Sequence, residues 1–530
     1  MSKQKELEQL FLNGKITRRE FITRMSAFGL MAAVSPVLLA TPAKAAKPKK
    51  GGRLIMCLGG GSTTDSLDPG QIPDVMPHNI NWSLRNCLVE VDADGNTVPE
   101  LAVSWESSPD ASIWYFKLRP GVEFHNGKTL DSQDVLDSIN HHRGKDSKSA
   151  AKGIVDQIKD IKANGKSMVV FYLQGGNADF PFLMSNYHLT IQPAGTEGAE
   201  YEKGIGTGAY TLISHEPGVR ALGTRNPNYW KEGRAHFDEV EILGISDVNS
   251  RTNALKTGQV NAMNRCETKT LHLLKKSPGI EVLQITGFKH FTFPMHMDVK
   301  PYDSNDVRLA LKLACDREQM VSTILRGCGT AGNDHPIAPI QRFHASKLPQ
   351  RKFDPDKAKY HIKKAGAEGY TFKLHTSNGA FDGAVDAAVL YRESAAKAGI
   401  NIEVVREPAD GYWSNVWLKK PWVACFWSGR ATEDWMFATA YSGDAKWNDT
   451  HFHHKRFDEL LLAARAELNE AKRREQYFEC QQIVRDEGGV VIPMFADQLM
   501  AVSKNLRHPK KVAGNWEMDG SRMAERWWFA

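Results

Sequence analysis

The sequence lacks the marks of several common protein classes. After residue 45 no apolar run approaches the roughly 20 residues that a membrane-spanning helix needs. There is no Cys-x-x-Cys pair, no Gly-x-Ser-x-Gly and no His-Glu-x-x-His, which are typical of redox or zinc sites, serine hydrolases and zinc proteases. These absences weigh against an integral membrane protein and against the commonest hydrolase and redox classes.

An excess of charge of either sign is also absent. Residues 1–45 carry seven Lys/Arg and three Asp/Glu, so the rest of the chain keeps 61 of the 68 basic and 59 of the 62 acidic residues. Such a balance offers no basic surface for nucleic acid, and no nucleic-acid partner is expected. The seven cysteines leave at least one thiol unpaired, and Cys315 and Cys480 are predicted to be buried among apolar neighbours.

The N-terminal segment is typical of an export signal. Thr17-Arg18-Arg19-Glu20-Phe21-Ile22 is a twin-arginine motif, residues 27–40 are moderately apolar, and Ala43-Lys44-Ala45 offers small residues to a signal peptidase. We predict a twin-arginine signal peptide over 1–45, cleaved near Ala45, which sends a folded protein to the periplasm. A retained membrane anchor is disfavoured because the apolar stretch is short. ATP- or NAD-dependent chemistry is not expected there, and no cofactor is predicted.

Apolar patterning and capping residues predict a mixed α/β chain. About 485 residues after the signal suffice for two or three domains. Asp131 is predicted to cap one helix, and Asp316 with Gln319 to open another that ends at Gly327. Strands are predicted at 54–58, 113–118, 169–173, around Leu374, at 402–405 and at 490–492, with a hairpin turn at Asp94-Gly95. A helix is predicted at 385–390, and two charged, amphipathic helices at 456–468 and 470–487.

Four groups of short segments follow one another in a characteristic order. They are Leu101-Ala-Val-Ser-Trp-Glu with 115–127 and Asp134-Val-Leu; Gly206-Thr-Gly-Ala-Tyr210 with Arg225-Asn-Pro-Asn-Tyr-Trp230 and 254–260; 306–311 with Asp316-Arg-Glu and 327–331; and Glu487-Gly-Gly-Val-Val-Ile-Pro493. Together they resemble the extracytoplasmic solute-binding proteins, family 5, of dipeptide, oligopeptide and nickel ABC importers. The resemblance covers essentially the whole chain after the signal.

This resemblance implies a fold and a function. The fold would be a two-lobed α/β periplasmic binding protein, type II and cluster C-like, with lobe I over 46–290 plus 498–530, an inserted subdomain at about 96–205, and lobe II over 291–497. The function would be to capture a peptide or similar small polar organic solute in the interlobe cleft and deliver it to ABC permease subunits in the inner membrane. Such a protein is a monomer and not an enzyme, and the twin-arginine export machinery is its partner only during secretion.

The resemblance also implies where the solute binds. Peptide binders of this family place an aspartate, in a loop after a strand of the second lobe, against the amino terminus of the ligand. Here Glu433 or Asp434 would take that role, and Arg430 adds a planar donor suited to a carboxylate, a phosphate or sugar hydroxyls. The predicted ligand-contacting residues are Trp427, Gly429, Arg430, Glu433, Asp434, Trp435 and Tyr412 in lobe II, and Gly60, Ser62 and Trp82 in lobe I.

Other interpretations stay open at this point. Because the loop departs from the usual peptide-binder pattern, the solute could also be a sugar- or opine-type conjugate or a metal chelate. An exported serine hydrolase is the alternative of a different class, since Ser149-x-x-Lys152, Ser185-x-Tyr187 and Lys256-Thr-Gly258 echo the penicillin-recognising enzymes, although Ser149 lies in a polar stretch. His451-Phe-His453-His454 is the densest histidine cluster, but no specific metal site is predicted, because neighbouring histidines cannot easily face one ion.

Overall fold

The computed structural model describes residues 48–409 and 411–530. The predicted signal peptide over 1–45 therefore lies outside the described residues. In the part that is described, no helix has the length and apolar character needed to cross a membrane. All seven cysteines are free and buried, including Cys315 and Cys480, as predicted.

A nine-stranded sheet runs through the structure. The strand Arg53–Leu58 is parallel to both of its neighbours, and the other pairings are antiparallel. Leu54, Met56 and Leu58 are fully buried, which confirms the buried strand predicted there. The strand order is Cys425–Trp427, Ile280–Pro294, Val490–Ser503, Ala262–Met263, Arg53–Leu58, Glu239–Gly244, Arg220–Arg225 and Tyr210–Glu216, with Gly329–Ala331 also paired to Val490–Ser503.

Two long antiparallel strands connect the two ends of this sheet. Ile280–Pro294 and Val490–Ser503 pair from Ile280–Ser503 at one end to Pro294–Val490 at the other. Their register shifts between Thr286 and His290, where the ladder is interrupted. One end packs on a core around Leu54, Tyr210 and Trp527, and the other end on a separate core around Trp422 and Tyr391.

A four-stranded antiparallel sheet has its own core. Its order is Ala102–Ser107, Ile113–Leu118, Met168–Leu173 and Ile158–Ala163. Alternation along Ile113–Leu118 buries Trp114, Phe116 and Leu118, since successive side chains point to opposite faces. Asp131 caps the helix Ser132–Asn140 in a capping box with Asp134, which confirms the helix start predicted from the sequence.

The second half of the chain contains the three longest helices. A parallel pair, Thr371–Thr376 and Asn401–Arg406, is joined by the helix Ala384–Ala396, as the pattern predicts. Asp316 caps Arg317–Thr323 through the amide of Gln319, but this helix ends four residues before the predicted stop at Gly327. The predicted amphipathic helices are Lys455–Ala466 and Glu470–Glu487. Buried Lys312 donates to the carbonyls of Val484, Arg485 and Gly488, and so caps the second of these helices.

The remaining elements are short. The predicted hairpin around Asp94-Gly95 forms between Val89–Val91 and Thr97–Pro99. The other elements are the helices Val75–Leu84, Lys152–Val155, Phe180–Leu183, Val248–Lys256, Leu271–Leu274, Asn305–Leu313, Pro355–Lys364, Tyr412–Asn415, Glu433–Ala440 and Met523–Arg526, the irregular turn Glu517–Ser521, the 3₁₀ turns Pro69–Gln71 and Gly198–Lys203, and the pair Leu506–Arg507 and Trp528–Phe529.

A buried ion-pair network ties distant parts of the chain together. The Lys231 ammonium lies 2.5, 2.7 and 3.0 Å from carboxylate oxygens of Glu90, Glu100 and Glu525. Arg522 pairs with Glu100 and Glu525. These groups are almost completely buried, so each charge depends on its partners for stabilisation.

Candidate functional site

The loop predicted to bind ligand follows the edge strand Cys425–Trp427. Thr432 then caps the helix Glu433–Ala440 by accepting a hydrogen bond from the Trp435 amide. Between them Gly429 has φ of 79°, and a Cβ built on it would lie 2.2 Å from Phe288 Cβ. Only glycine fits this turn, because both its conformation and the close approach of Phe288 exclude a side chain. The turn brings Arg430 between two tryptophans.

Arg430 has little to bind within the protein. Its Cζ lies 5.7 Å from the Trp427 ring centre and 5.5 Å from that of Trp435. The one hydrogen bond that its guanidinium makes is from Nη1 to the neighbouring Gly429 carbonyl. Among the described residues no carboxylate forms an ion pair with it, and burial lowers the pKa of the guanidinium. A desolvated cation with unused donors between aromatic faces is a ready binding group for an anion.

The charge of Arg430 acts on Tyr187. Burial raises the pKa of Tyr187 to about 12, while Arg430 lowers it and Asp74 raises it. The Tyr187 ring lies against that of His78, with centroids 3.7 Å apart and planes tilted by 32°, and meets Trp516 edge-on at 5.3 Å. Residues far apart in sequence, all within the predicted lobe I, therefore converge around this ring.

An acidic group borders the same region. Arg265 lies 2.6 Å from Asp74 and 2.8 Å from Glu517, and the three side chains are 43%, 39% and 24% exposed. Two carboxylates thus share one guanidinium. Gly60 approaches Asp74 so closely that a Cβ built on it would lie 2.4 Å from the carboxylate. Predicted site residue Gly60 therefore lines this acidic group through its backbone.

Lys289 lies at the interruption of the long strands. Its side chain is exposed, yet the surrounding protein displaces enough water to lower its pKa, and Arg265 lowers it further. Its ammonium lies 5.5 Å from the Phe291 ring and 5.2 Å from the Phe426 ring. A solvent-accessible side chain whose charge is nevertheless partly desolvated is typical of a cleft wall.

The two predicted carboxylate anchors are engaged within the fold. Glu433 is 2% exposed and accepts a hydrogen bond of 2.8 Å from the Phe343 amide. Asp434 pairs with Arg465 at 3.0 Å, and burial raises its pKa to about 6. Both carboxylates that were predicted to bind a ligand ammonium therefore already bind other groups within predicted lobe II.

The other predicted contact residues differ in how far they are exposed. Tyr412 is 1% exposed and donates to the Ala424 carbonyl, and Trp82 is 3% exposed with its indole near Cys87 Sγ. We correct the expectation for these two rings, because the structure places both inside cores, where they support the site from behind. Ser62 is exposed and bonds to Thr64. Trp427 and Trp435 flank Arg430, as described above.

Several side chains at this site were not predicted. They are Tyr187, His78, Trp516, Arg265 and Lys289. Nothing local in the sequence marks them, since each becomes a neighbour of the others only through the fold. The lack of an ion pair for Arg430 marks the site, but only the structure shows it.

Two acidic or histidine clusters could in principle hold metal. Ligand atoms of His296, Asp298 and His451 lie within 4.8 Å of one another. The two imidazoles are stacked at 3.9 Å and 22°, however, so their lone pairs run nearly parallel and do not converge on one ion. The cluster of Glu90, Glu100 and Glu525 is occupied by the Lys231 ammonium.

The serine-enzyme pattern does not assemble. Ser149 bonds to His142 Nδ1, whereas Lys152 donates to the Lys145 carbonyl and does not reach the serine. Gly258, with φ of 75°, follows the helix Val248–Lys256 and ends it. The triad-like spacing is therefore explained by local structure.

A cavity of about 680 Å³ lies elsewhere, beside the buried network. It is lined by Arg119, Trp230, Lys231, Arg526 and their neighbours. Lys231 and Arg526 are already paired with carboxylates, whereas Arg119 has no ion pair among the described residues and donates to the Glu100 carbonyl. We therefore place the candidate site at Arg430, whose desolvated guanidinium has no ion pair among the described residues, and not at this cavity.

Comparisons with known proteins identify the family of this chain. The family model of bacterial extracellular solute-binding proteins, family 5 Middle, matches residues 96–449. A glutathione-binding protein of Pectobacterium atrosepticum is 24% identical over 469 residues, covering 85% of this chain and 89% of that protein. Di/tripeptide-binding protein 1 of Pseudomonas aeruginosa is 25% identical over 506 residues, covering 86% and 92%.

A solved structure extends the likeness to the fold. The periplasmic binding protein DppA from Helicobacter pylori, in complex with the peptide STSA, superimposes with a TM-score of 0.72 at 22% identity, covering 91% of this chain and 99% of that one. The mixed α/β architecture is thus that of the two-lobed periplasmic binding proteins. The chain belongs to the bacterial extracellular solute-binding proteins of family 5.

Proposed function

We propose that this protein is the periplasmic solute-binding component of an ABC importer. It captures a peptide or similar small polar organic solute between its two lobes and delivers it to permease subunits in the inner membrane. Membership of the family supports the binding role, and relatives named for binding glutathione and di- or tripeptides support the class of solute.

One observation carries the proposal. The Arg430 guanidinium lies between two tryptophans and has no acidic partner among the described residues, and its charge acts on the phenol of Tyr187. Aromatic surface beside convergent polar groups is the usual composition of a small-molecule site. A solute bound there would contact both lobes and so stabilise their closed arrangement.

The long strands give a physical route for closure. Ile280–Pro294 and Val490–Ser503 are the continuous connections across the sheet, and their ladder is interrupted between Thr286 and His290. A few residues with missing ladder bonds can absorb the dihedral changes of a hinge. Lys289 lies within this interruption, so closure would move a cation relative to the acidic group around Arg265.

The proposed location also rests on the N-terminal sequence. The twin-arginine motif and the small residues before Ala46 support export of a folded monomer and removal of residues 1–45. In this proposal the export machinery is a transient partner and the permease is the functional one. No bond of the solute is made or broken.

Native mass spectrometry of purified residues 46–530 tests the proposal. We expect a stoichiometric small molecule to co-purify, or one to be retained after exposure to glutathione and to di- and tripeptide pools. A ligand at 100 times its dissociation constant adds about 2.7 kcal/mol of stability, so a melting-temperature increase should accompany binding. Recovery of a chemically altered solute, dependent on one side chain, would instead identify an enzyme.

A further inference from the structure

A continuous aromatic surface, which we call the tryptophan wall, lies at the edge strand Cys425–Trp427. Neighbouring ring centres in it are between 5.6 and 6.3 Å apart, which are contact distances for aromatic rings. Its members are Trp413, Trp417, Phe426, Trp427 and Trp447. The wall reaches the candidate site, because the Trp427 ring centre lies 5.7 Å from Cζ of Arg430 and 6.1 Å from the Trp447 ring centre.

The wall is open to solvent at two of its rings. Trp413 and Trp447 are 40% and 48% exposed, more than any other tryptophan that the structure describes. Tryptophan side chains are usually well buried, and a single exposed apolar side chain needs no explanation. Two exposed tryptophans on one continuous aromatic surface instead indicate that the surface binds something.

A buried carboxylate keeps the wall in place. Asp449 is buried, and its carboxylate accepts a hydrogen bond of 3.1 Å from the indole nitrogen of Trp417. The Trp417 ring in turn contacts both exposed rings, at 5.6 Å from Trp413 and 6.3 Å from Trp447. A ligand that stacks on the wall therefore meets rings that are already ordered, which reduces the entropic cost of binding.

Two cations adjoin the wall. Arg430 lies next to Trp427, and the ammonium of Lys289 lies 5.2 Å from the ring centre of Phe426. Within residues 48–409 and 411–530 neither cation forms an ion pair with a carboxylate. Flat apolar rings beside unpaired cations suit a solute that carries both a ring and an anionic group.

We propose that the solute is an aromatic acid, whose flat ring stacks on the exposed indole of Trp447 while its anionic group binds Arg430. This inference rests on the proposed binding function and narrows its solute class. An aromatic ring pairs with an indole more favourably than its buried area alone accounts for, because of the charge distribution of the two rings. A saturated ring of the same skeleton is puckered and lacks this contribution.

Two matched acids test the inference. Naphthylpropanoate and its decahydro analogue share the carboxylate and the carbon skeleton, but only the first has flat rings, and calorimetric titration of residues 46–530 measures the affinity of each. We expect the aromatic acid to bind about 2- to 10-fold more tightly, the effect of one aromatic pair. Equal affinity of the two acids, or failure of both to bind at about 10 mM, would overturn the inference.

Substitution of Trp447 makes the test specific to this ring. In Trp447→Leu the two acids should bind with equal affinity, whereas Trp447→Phe keeps a flat ring and should keep part of the preference. Tyr360→Leu is the matched control, because it removes an exposed ring of the helix Pro355–Lys364, outside the wall, and should leave the preference intact. Melting curves of the unliganded proteins establish that the variants are folded. A preference that survives in Trp447→Leu would assign the ring to another surface and refute the inference.

The solute that the protein retains separates this inference from the proposed function. A retained solute that has an aromatic ring and is bound more weakly by Trp447→Leu supports both. A retained solute without an aromatic ring contradicts the inference, while the binding function stands. A protein that retains no solute from any source contradicts the proposed function and the inference with it.

Discussion

Asp179 Oδ2 lies 2.6 Å from Arg473 Nη2, in an ion pair whose two side chains are each 3% exposed. Asp179 belongs to the segment predicted as the inserted subdomain of lobe I, and Arg473 to the helix Glu470–Glu487 of lobe II. Arg342, also of lobe II, donates to the second oxygen of Asp179 at 2.7 Å. In the predicted division of the chain this buried carboxylate joins the two lobes, and we propose that it favours their closed arrangement.

We expect Asp179→Asn to weaken solute binding by favouring the open arrangement. Loss of the carboxylate leaves Arg473 without a counter-charge in the closed form and Arg342 with only the exposed Glu470, whereas opening lets water reach both. Small-angle scattering with saturating solute should show a larger radius of gyration than for the unchanged protein. Glu470→Gln is the matched control, because Glu470 also pairs with Arg342 but is 68% exposed. Identical scattering curves for Asp179→Asn and the parent would contradict this role.

Lys231→Met should destabilise the protein severely. The substitution leaves Glu90, Glu100 and Glu525 buried with one cation fewer, and breaking a buried ion network by removing one partner costs about 3–5 kcal/mol. Urea unfolding of the mature protein measures the loss. Lys203→Met, which removes an exposed pair with Glu200, should cost no more than about 1 kcal/mol. Equal effects of the two substitutions would show that burial does not determine the cost.

The architecture was largely predictable because its signals are local. Asp131 and Asp316 cap helices where the sequence predicts them, and Asp94-Gly95 forms the hairpin turn. Helix ends were less accurate: Arg317–Thr323 stops before Gly327, because Ile324 to Cys328 fold back in tight turns. The domain boundaries stay a prediction.

The site was predictable only in part. The sequence crowds Arg430 between Trp427 and Trp435, and the structure keeps that arrangement. The sequence alone cannot show that Glu433 accepts a hydrogen bond from the Phe343 amide, 90 residues away, or that Tyr412 is buried. Tyr187 and Arg265 depend on contacts between distant segments, which periodicity and motif spacing do not contain.

The twin-arginine signal gives a prediction about export. Replacement of both Arg18 and Arg19 by lysine should leave the precursor in the cytoplasm, since lysine does not reproduce the planar, delocalised charge of arginine. Cell fractionation and immunoblotting of the tagged protein measure this. Lys3→Arg with Lys5→Arg, outside the motif, is the control and should be exported normally. Periplasmic accumulation of the double-lysine variant would refute the assignment of the signal.

Stability should fall as the pH decreases below about 6.5, because five histidines are buried in neutral form. Burial lowers their pKa to about 3 or 4, whereas the unfolded chain takes up protons at about 6.5, so each histidine costs up to about 1.4 kcal/mol of stability per pH unit between those values.

Asp434 and Asp449 oppose this loss of stability between about pH 4 and 6, since burial raises their pKa to about 6 and the folded state then binds the extra protons. Four further histidines have a pKa lowered by burial and three further acids have one raised, so the histidines predominate and the unfolding free energy in urea should be lower at pH 5 than at pH 7.5. His335→Gln should make the dependence shallower by about one proton, and a stability that rises on acidification would contradict the argument. The five are His78, His142, His290, His296 and His335.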